Sequence, residues 1–155
     1  MTPPPTDPHA PVHLKIDSSP EHIEGIRLRL EAMAKAVGFD DRGVGEVGLV
    51  VNEALANIIE HAYQFEADRP IAFWAETLDP GPGLRIRIRD WGPGIDPSKL
   101  PIRPKDPTIP GGLGLICMRE LMDSVEYAPQ PDGGILLTMT RRPPHPTSPP
   151  TASPA

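Results

Sequence analysis

Three polar side chains, Glu53, Asn57 and His61, are spaced four residues apart in a segment that is otherwise mostly apolar. At this spacing they share one face of a helix, with the acid and the amide one turn apart. A solvated helix face is the usual explanation of such a stripe, although the apolar neighbours leave little room for one. The alternative is chemical, because carboxylate and amide oxygens are ligands that Mg²⁺ prefers.

A second candidate segment is the turn Asp90-Trp91-Gly92-Pro93-Gly94, which follows a predicted strand. Its glycines allow a sharp turn and a close approach to a ligand, and a carboxylate can accept a hydrogen bond from an exocyclic amino group. An ordinary strand-ending turn explains the same residues. Trp91 fits either the shielding of a ligand or structural packing.

A third candidate segment, Gly111-Gly112-Leu113-Gly114, stands directly before a predicted helix. Backbone N–H groups at a helix N-terminus attract anions, and glycines expose those donors to phosphates. A flexible hinge followed by a helix start is the alternative explanation.

The elements that would position these segments follow from hydrophobic spacing. Apolar steps of three and four residues predict a first helix, with a serine cap at Ser18-Ser19 and an end at Gly38. Strict alternation in residues 84–89 turns Leu84, Ile86 and Ile88 to one face and three arginines to the other, which we expect to be solvated. The further elements are predicted as strand 13–17, a second helix from about 42 to 63, strand 71–78, helix 115–122, and strands 125–127 and 135–141.

This order of elements predicts an α/β sandwich of the α+β type. A mixed or antiparallel sheet would carry three helices packed on one face. Between residues 91 and 112 lies a proline-rich stretch of about twenty residues, and loops of that length are usually functional lids or disordered.

Composition limits the domain organisation to one folded unit. Proline accounts for 23 of the 155 residues, several times the usual share of ~5%. The two ends hold many of these prolines and cannot bury enough apolar surface to fold. We therefore predict disordered tails at residues 1–12 and 143–155 and a single domain at residues 13–142.

Charge and cysteine content exclude several classes of function. The net charge of -6 and the pI of about 5.3 make a nucleic-acid backbone an unfavourable partner. A single cysteine excludes an internal disulfide and a cysteine-based zinc site. No apolar run reaches the ~18–20 residues of a membrane span, so no membrane association is expected and the protein is predicted to be cytoplasmic.

Together, the three candidate segments resemble the motifs of the GHKL ATPase superfamily, in the same order. Residues 53–63 resemble the N-box, Asp90–Gly94 the G1 box and Gly112–Gly114 the G2 box. The sequence pattern E-A-x-x-N-x-x-x-H-A-Y is more specifically similar to the serine-kinase anti-sigma factors of bacterial partner-switching systems. The same similarity extends to the later segments Gly111–Leu115, Met118-Arg119 and Leu121-Met122-Asp123. The resemblance spans about residues 13–142.

The resemblance implies a GHKL ATPase fold with a lid loop, and ATP with Mg²⁺ as ligands. It implies that Glu53 is the general base that prepares the acceptor hydroxyl, and that Asn57 is a ligand of Mg²⁺. Asp90 would bind the adenine amino group, and the remaining contacts to the nucleotide would come from Gly92, Gly94, Gly112, Leu113 and Gly114.

The implied function is an ATP-dependent protein-serine/threonine kinase that phosphorylates a small antagonist protein and sequesters a sigma factor. A homodimer is also implied by the resemblance. The better-known kinases of the family carry an arginine before the G2 glycines, where this chain has Ile109-Pro110-Gly111. That difference favours the alternative of a binding module that uses ATP only to switch partner affinity.

A second departure is Gly134-Ile135, where many relatives have threonine or asparagine near the adenine. The catalytic domain of a sensor histidine kinase is a further alternative. It is disfavoured because no dimerisation helix pair with a phosphoacceptor histidine precedes the domain.

Overall fold

The computed structural model describes residues 7–93 and 114–144. Residues 94–113, which include most of the predicted lid loop together with Gly94, Gly112 and Leu113, lie outside the described residues, as do residues 1–6 and 145–155 of the predicted tails. Residues 7–10 form a turn in which Asp7 accepts hydrogen bonds from the backbone N–H groups of His9 and Ala10.

Five strands form one sheet in the order β1-β2-β3-β5-β4, and every neighbouring pair is antiparallel. Of the two predicted alternatives, a mixed or an antiparallel sheet, the protein has the second. The strands are β1 (Val12–Asp17), β2 (Pro70–Thr77), β3 (Leu84–Asp90), β4 (Ser124–Pro129) and β5 (Ile135–Arg141).

Three helices pack on one face of this sheet, which confirms the predicted fold class. They are α1 (His22–Val37), α2 (Asp41–Asn57) and α3 (Gly114–Leu121). The core lies between helices and sheet, where Leu84, Ile86 and Ile88 of β3 are fully buried together with Leu30 of α1 and Val47 of α2. In the described part of the chain, no helix is both long and apolar enough to cross a membrane.

The boundaries of α1 confirm one sequence prediction and correct another. Gly38 ends the helix with a φ of 112°, as expected for glycine in the left-handed region. The predicted serine cap is wrong, because the helix begins at His22 and has no side-chain cap. Ser18 is instead buried and donates a hydrogen bond to the Glu66 carbonyl oxygen at 2.6 Å.

The second helix changes character at Asn57. Asp40 caps its N-terminus by accepting a hydrogen bond from the Gly43 N–H at 2.8 Å. Beyond Asn57 the chain continues as a π-helical segment, Ile58–Ala62, in which the Tyr63 N–H donates to the Ile58 carbonyl oxygen at 2.9 Å. Such wider turns are rare and are frequently found at functional sites. The α-helix predicted to reach residue 63 is therefore two helical types in succession.

Candidate functional site

Glu53 and Asn57 lie one turn apart on α2, and both side chains are half-buried. Ala54 and Leu55 beside them are buried in the core. His61, the third member of the predicted stripe, falls in the π-helical segment and is exposed. The acid and the amide therefore stay together near the core, and the histidine is separated from them by the change in helix type.

The donor set on α2 fits a metal bound together with phosphates. Among residues 7–93 and 114–144, no three histidine, cysteine, aspartate or glutamate side chains cluster in a way that could hold a metal ion. Mg²⁺ commonly takes only one or two protein ligands and completes its shell with water and substrate phosphates. The Asn57 amide oxygen could supply one such ligand, and the Glu53 carboxylate one turn away could then act on a neighbouring hydroxyl.

Asp90 is the last residue of β3 and is only 6% exposed. Its carboxylate accepts hydrogen bonds from the backbone N–H groups of Gly92, at 2.9 Å, and of Ile135. Burial raises the pKa of Asp90, and although these two bonds and the charge of Arg89 act in the opposite direction, the net shift is upward. A carboxylate has about four acceptor positions, so it retains capacity for a ligand donor.

The turn after Asp90 packs directly against the end of the π-helical segment. A Cβ atom on Gly92 would stand 2.9 Å from the Ala62 carbonyl oxygen and 3.0 Å from the Ala62 Cβ. Only glycine allows this approach without a shift of one backbone. Thus the helix that carries Glu53 and Asn57 and the turn that carries Asp90 come into contact through Gly92 and Ala62.

Gly134 closes the other side of Asp90. Its φ is +78°, and a Cβ atom there would lie 2.0 Å from the Asp90 carbonyl oxygen. The sequence departure at Gly134-Ile135 therefore has a structural reason: backbone occupies the space beside Asp90, and the Ile135 N–H supplies a donor to its carboxylate. Of the glycines in the third candidate segment, Gly114 is described, and it is the first residue of α3.

Tyr63 is a site residue whose role the sequence alone did not indicate. Its hydroxyl accepts a hydrogen bond from the Trp91 N–H at 2.8 Å and donates one to the Pro70 carbonyl oxygen. Burial raises the pKa of Tyr63, although the Trp91 N–H acts in the opposite direction. The available signal was a tyrosine at the end of an apolar helix, because a buried tyrosine hydroxyl needs a hydrogen-bond partner.

Arg89 corrects the expectation of a solvated arginine face on β3. Arg85 is exposed, but the Arg89 side chain is only 8% exposed and contacts the Asp132 carboxylate at 2.6 Å. Its guanidinium carbon also lies 4.8 Å from the centre of the Trp91 ring. The two roles considered for Trp91 were ligand shielding and structural packing, and its contact with Arg89 is an example of the second.

Comparison with protein families gives a match that spans most of the chain. Residues 16–141 match the family described as "Histidine kinase-like ATPase domain". This range begins within β1 and ends with the last residue of β5, so it includes every helix and Glu53, Asn57, Asp90 and Gly92.

Individual proteins give matches over similar lengths. The chain is 30% identical to a serine-protein kinase named RsbW from Listeria monocytogenes, over 86% of this chain and 87% of that protein. It is 26% identical to the RsbW serine-protein kinase of Bacillus subtilis, over 84% of each chain. Among solved structures, the histidine kinase domain of a blue-light activated histidine kinase from Erythrobacter litoralis matches 76% of this chain and 60% of its own, with a TM-score of 0.47 and 19% identity.

Proposed function

Since the chain belongs to the family of histidine kinase-like ATPase domains, we propose that it is an ATP-dependent protein-serine/threonine kinase and anti-sigma factor of a partner-switching system. In this role it transfers the γ-phosphate of ATP to a small antagonist protein. The relatives named serine-protein kinase, matched over most of their length, support the proposal. We further propose that a sigma factor is the second partner, that the protein acts in the cytoplasm, and that it forms a homodimer.

One observation carries the proposal. The half-buried acid and amide of α2 and the buried Asp90 carboxylate belong to distant parts of the sequence, and the contact of Gly92 with Ala62 joins their elements. Phosphoryl transfer requires little covalent chemistry from a protein beyond positioning and neutralisation of charge. A general base and a metal ligand on one helix, with an adenine-binding carboxylate on the adjoining turn, meet that requirement.

In the proposed reaction, Glu53 takes or orients the proton of the acceptor serine or threonine hydroxyl. The hydroxyl oxygen forms a bond to the γ-phosphorus, the bond from that phosphorus to the β–γ bridging oxygen breaks, and ADP leaves with the electron pair. Asn57 would hold Mg²⁺, which neutralises phosphate charge when it is bound. Positioned acid–base groups contribute about 10²–10⁴-fold in rate.

Nucleotide binding is assigned to the glycine segments together with Asp90. The Asp90 carboxylate accepts from the adenine amino group, and Gly92 and Gly94, which follow it in the sequence, supply further contacts to the nucleotide. Backbone N–H groups near Gly112, Leu113 and Gly114 bind the phosphates, since α3 begins at Gly114 and its dipole favours negative charge there.

The decisive experiment separates chemistry from binding. Glu53→Gln keeps the size of the side chain but removes the base, so ATP binding should survive while phosphorylation falls by about 10²–10⁴-fold. Asn57→Ala removes a metal ligand, so Mg²⁺-dependent binding and transfer should fall together. Transfer is measured with γ-labelled ATP and a candidate small antagonist protein, and binding by calorimetry.

Matched controls come from the same helical region. Glu60→Gln changes an exposed acid, and Asn52→Ala changes a half-buried amide. Both variants should retain wild-type transfer. If Glu53→Gln phosphorylates its partner at the wild-type rate, the assignment of the base is wrong.

A second candidate function is a passive, nucleotide-dependent switch. The observation in its favour is Ile109-Pro110-Gly111 in place of the lid arginine of the better-known kinases. Binding of ATP without transfer to any partner would select this alternative over the kinase.

A further inference from the structure

We propose that Tyr63 is a positioning residue for adenine recognition, acting through the backbone of Trp91. The inference rests on the proposed role of Asp90 as the adenine-binding carboxylate. Tyr63 would not touch the base. It would hold the turn that fixes where the Asp90 carboxylate and Gly92 stand.

Both peptide groups that connect Asp90 to Gly92 are held by side chains. The N–H of Trp91, which belongs to the first peptide group, donates to the Tyr63 hydroxyl at 2.8 Å. The carbonyl of Trp91, which belongs to the second, accepts from Arg69 Nη2 at 3.4 Å. The rotation of each peptide plane is therefore restrained from outside the turn.

The Tyr63 hydroxyl is fixed from three directions. Its chain position is set by the end of the π-helical segment, its proton goes to the carbonyl of Pro70 at the start of β2, and its oxygen accepts from Trp91 beyond the end of β3. Tyr63 is only 2% exposed, and the Arg69 guanidinium carbon lies 4.9 Å from the centre of its ring. A buried group held in this way has little freedom to move the turn.

The sheet register adds to the effect. Ile71, the residue after Pro70, pairs with Asp90 across β2 and β3. Ala62, the residue directly before Tyr63, is the one against which Gly92 packs. Tyr63 therefore stands where the strand pair, the helix carrying Asn57 and the Asp90 turn meet. Loss of its hydroxyl should loosen the turn relative to both elements.

A positioning role predicts a change in base selectivity, which a purely structural role would not produce. Tyr63→Phe removes the acceptor of the partly buried Trp91 N–H. Affinity for ADP should fall by about 3- to 30-fold. Affinity for GDP should change much less, so the ADP-to-GDP preference should fall with it. Calorimetry with both nucleotides and Mg²⁺ measures this ratio.

The only other tyrosine of the chain provides the matched control. Tyr127 is half-buried on β4, away from the turn. Tyr127→Phe removes the same atoms and should leave the ADP-to-GDP preference unchanged. A double variant, Tyr63→Phe with Asp90→Asn, should lose less affinity than the product of the two single losses, because both changes act on one interaction.

Arg69→Gln tests the same turn from its carbonyl side, and it decides the matter if Tyr63→Phe does not fold. The Arg69 side chain is partly exposed, and we expect a smaller fall in base preference in the same direction. Arg85→Gln, at an exposed position on β3, is its control.

Two outcomes distinguish the inference from the proposed function on which it rests. If the wild type prefers ADP and Tyr63→Phe or Arg69→Gln keeps that preference in full, the positioning role is overturned whatever happens to the melting temperature. If the wild type itself binds ADP no better than GDP, the adenine role of Asp90 is overturned, and the positioning role with it.

Discussion

Gly134 lies so close to Asp90 that a Cβ atom on the glycine would stand 2.0 Å from the aspartate carbonyl oxygen and 2.6 Å from its carbonyl carbon. Asp90 is the last residue of β3, and Gly134 directly precedes β5, the neighbouring strand. This approach brings the Ile135 N–H to the Asp90 carboxylate. The backbone of β5 is thus part of the wall around the candidate adenine-binding residue.

We expect Gly134→Ala to lower the free energy of unfolding by about 2–4 kcal/mol, from backbone strain and the displaced Asp90 backbone together. Gly133→Ala is the matched control. Gly133 also has a positive φ, +94°, but its nearest neighbour is the Gly92 carbonyl oxygen at 3.9 Å. Gly133→Ala should therefore lower the free energy of unfolding only through backbone strain, by about 1–2 kcal/mol. Urea unfolding of both variants measures the difference, and equal losses would contradict the close approach.

Asp90→Asn should separate stability from binding. Burial, the largest influence on this group, raises the pKa of Asp90 above its ordinary value of 3.8. A raised pKa means that the folded protein binds the proton more readily than the unfolded chain, so this residue's contribution to stability is fully present below pH 3.8 and is lost as the pH rises. At pH 7 the neutral variant should thus be at least as stable as the wild type. Its affinity for ADP should be weaker by about 1–3 kcal/mol.

Asp132→Asn is the comparison, because the pKa of Asp132 is shifted in the opposite direction to that of Asp90. The hydrogen bond from Arg89 lowers the pKa of Asp132 below 3.8. Its stabilising effect is present above that value and is lost as the pH falls. Denaturant unfolding at pH 7 should show a small loss of stability for the Asp132 variant, whose carboxylate is largely exposed, and none for the Asp90 variant. An Asp90 pKa at or below 3.8, measured by NMR titration of its carboxyl group, would contradict the upward shift.

Glu46 connects α2 to the last residue of β5. Its Oε2 lies 2.7 Å from Nη1 of Arg141, and its Oε1 accepts from Arg42 Nε at 2.9 Å. Burial alone would raise the pKa of Glu46, but its contacts with these two guanidinium groups lower it below 4.5. The stabilisation is therefore present above pH 4.5 and is lost as the pH falls through the lower value in the folded state.

Glu46→Gln should lower the free energy of unfolding by about 1–2 kcal/mol at pH 7. The difference from the wild type should shrink as the pH falls below 4.5. Glu126→Gln, at an exposed position on β4, should show neither effect. Chemical denaturation across this pH range measures both, and a difference for Glu46→Gln that stays constant with pH would rule out the ion pair as its source.

Gly92→Ala tests the contact between the Asp90 turn and the π-helical segment. The new Cβ atom would stand 2.9 Å from the Ala62 carbonyl oxygen, so one backbone has to shift. We expect ADP binding to weaken by about 1–2 kcal/mol. Gly45→Ala on α2 is the control, since its Cβ meets nothing within 4 Å. Unchanged ADP affinity in Gly92→Ala would show that the position of this turn does not govern binding.

Elements with a strong period were predictable from the sequence. The alternation of Leu84, Ile86 and Ile88 predicted β3 and its buried face because strand side chains alternate with a period of two. Gly38 predicted the end of α1 for a similarly local reason. The π-helical segment was not predictable, because the apolar residues from Ile58 to Ala62 fit an α-helix equally well.

What the sequence missed depends on distant partners. The period of β3 puts Arg89 on the open face, but Asp132 and Trp91, which bury it, come from two different turns. The first of two adjacent serines fitted a helix cap until the structure paired Ser18 with Glu66. For the site, Asp90 and Gly92 were selected by their motif, whereas the Tyr63 hydroxyl bonds to a backbone group 28 residues away. The catalytic role of Glu53 and the metal-binding role of Asn57 remain predictions.

The strand order also has a consequence for synthesis of the protein on the ribosome. β5 lies between β3 and β4, yet it is the last strand in the described chain. Until it emerges, β3 has an unpaired edge, and Asp90 lacks both the Gly134 wall and the Ile135 donor. Non-local pairings of this kind are formed late and slowly. A nascent chain that already contains Glu53, Asn57 and Asp90 therefore has the residues of the candidate site, but Asp90 lacks its surroundings until β5 has emerged.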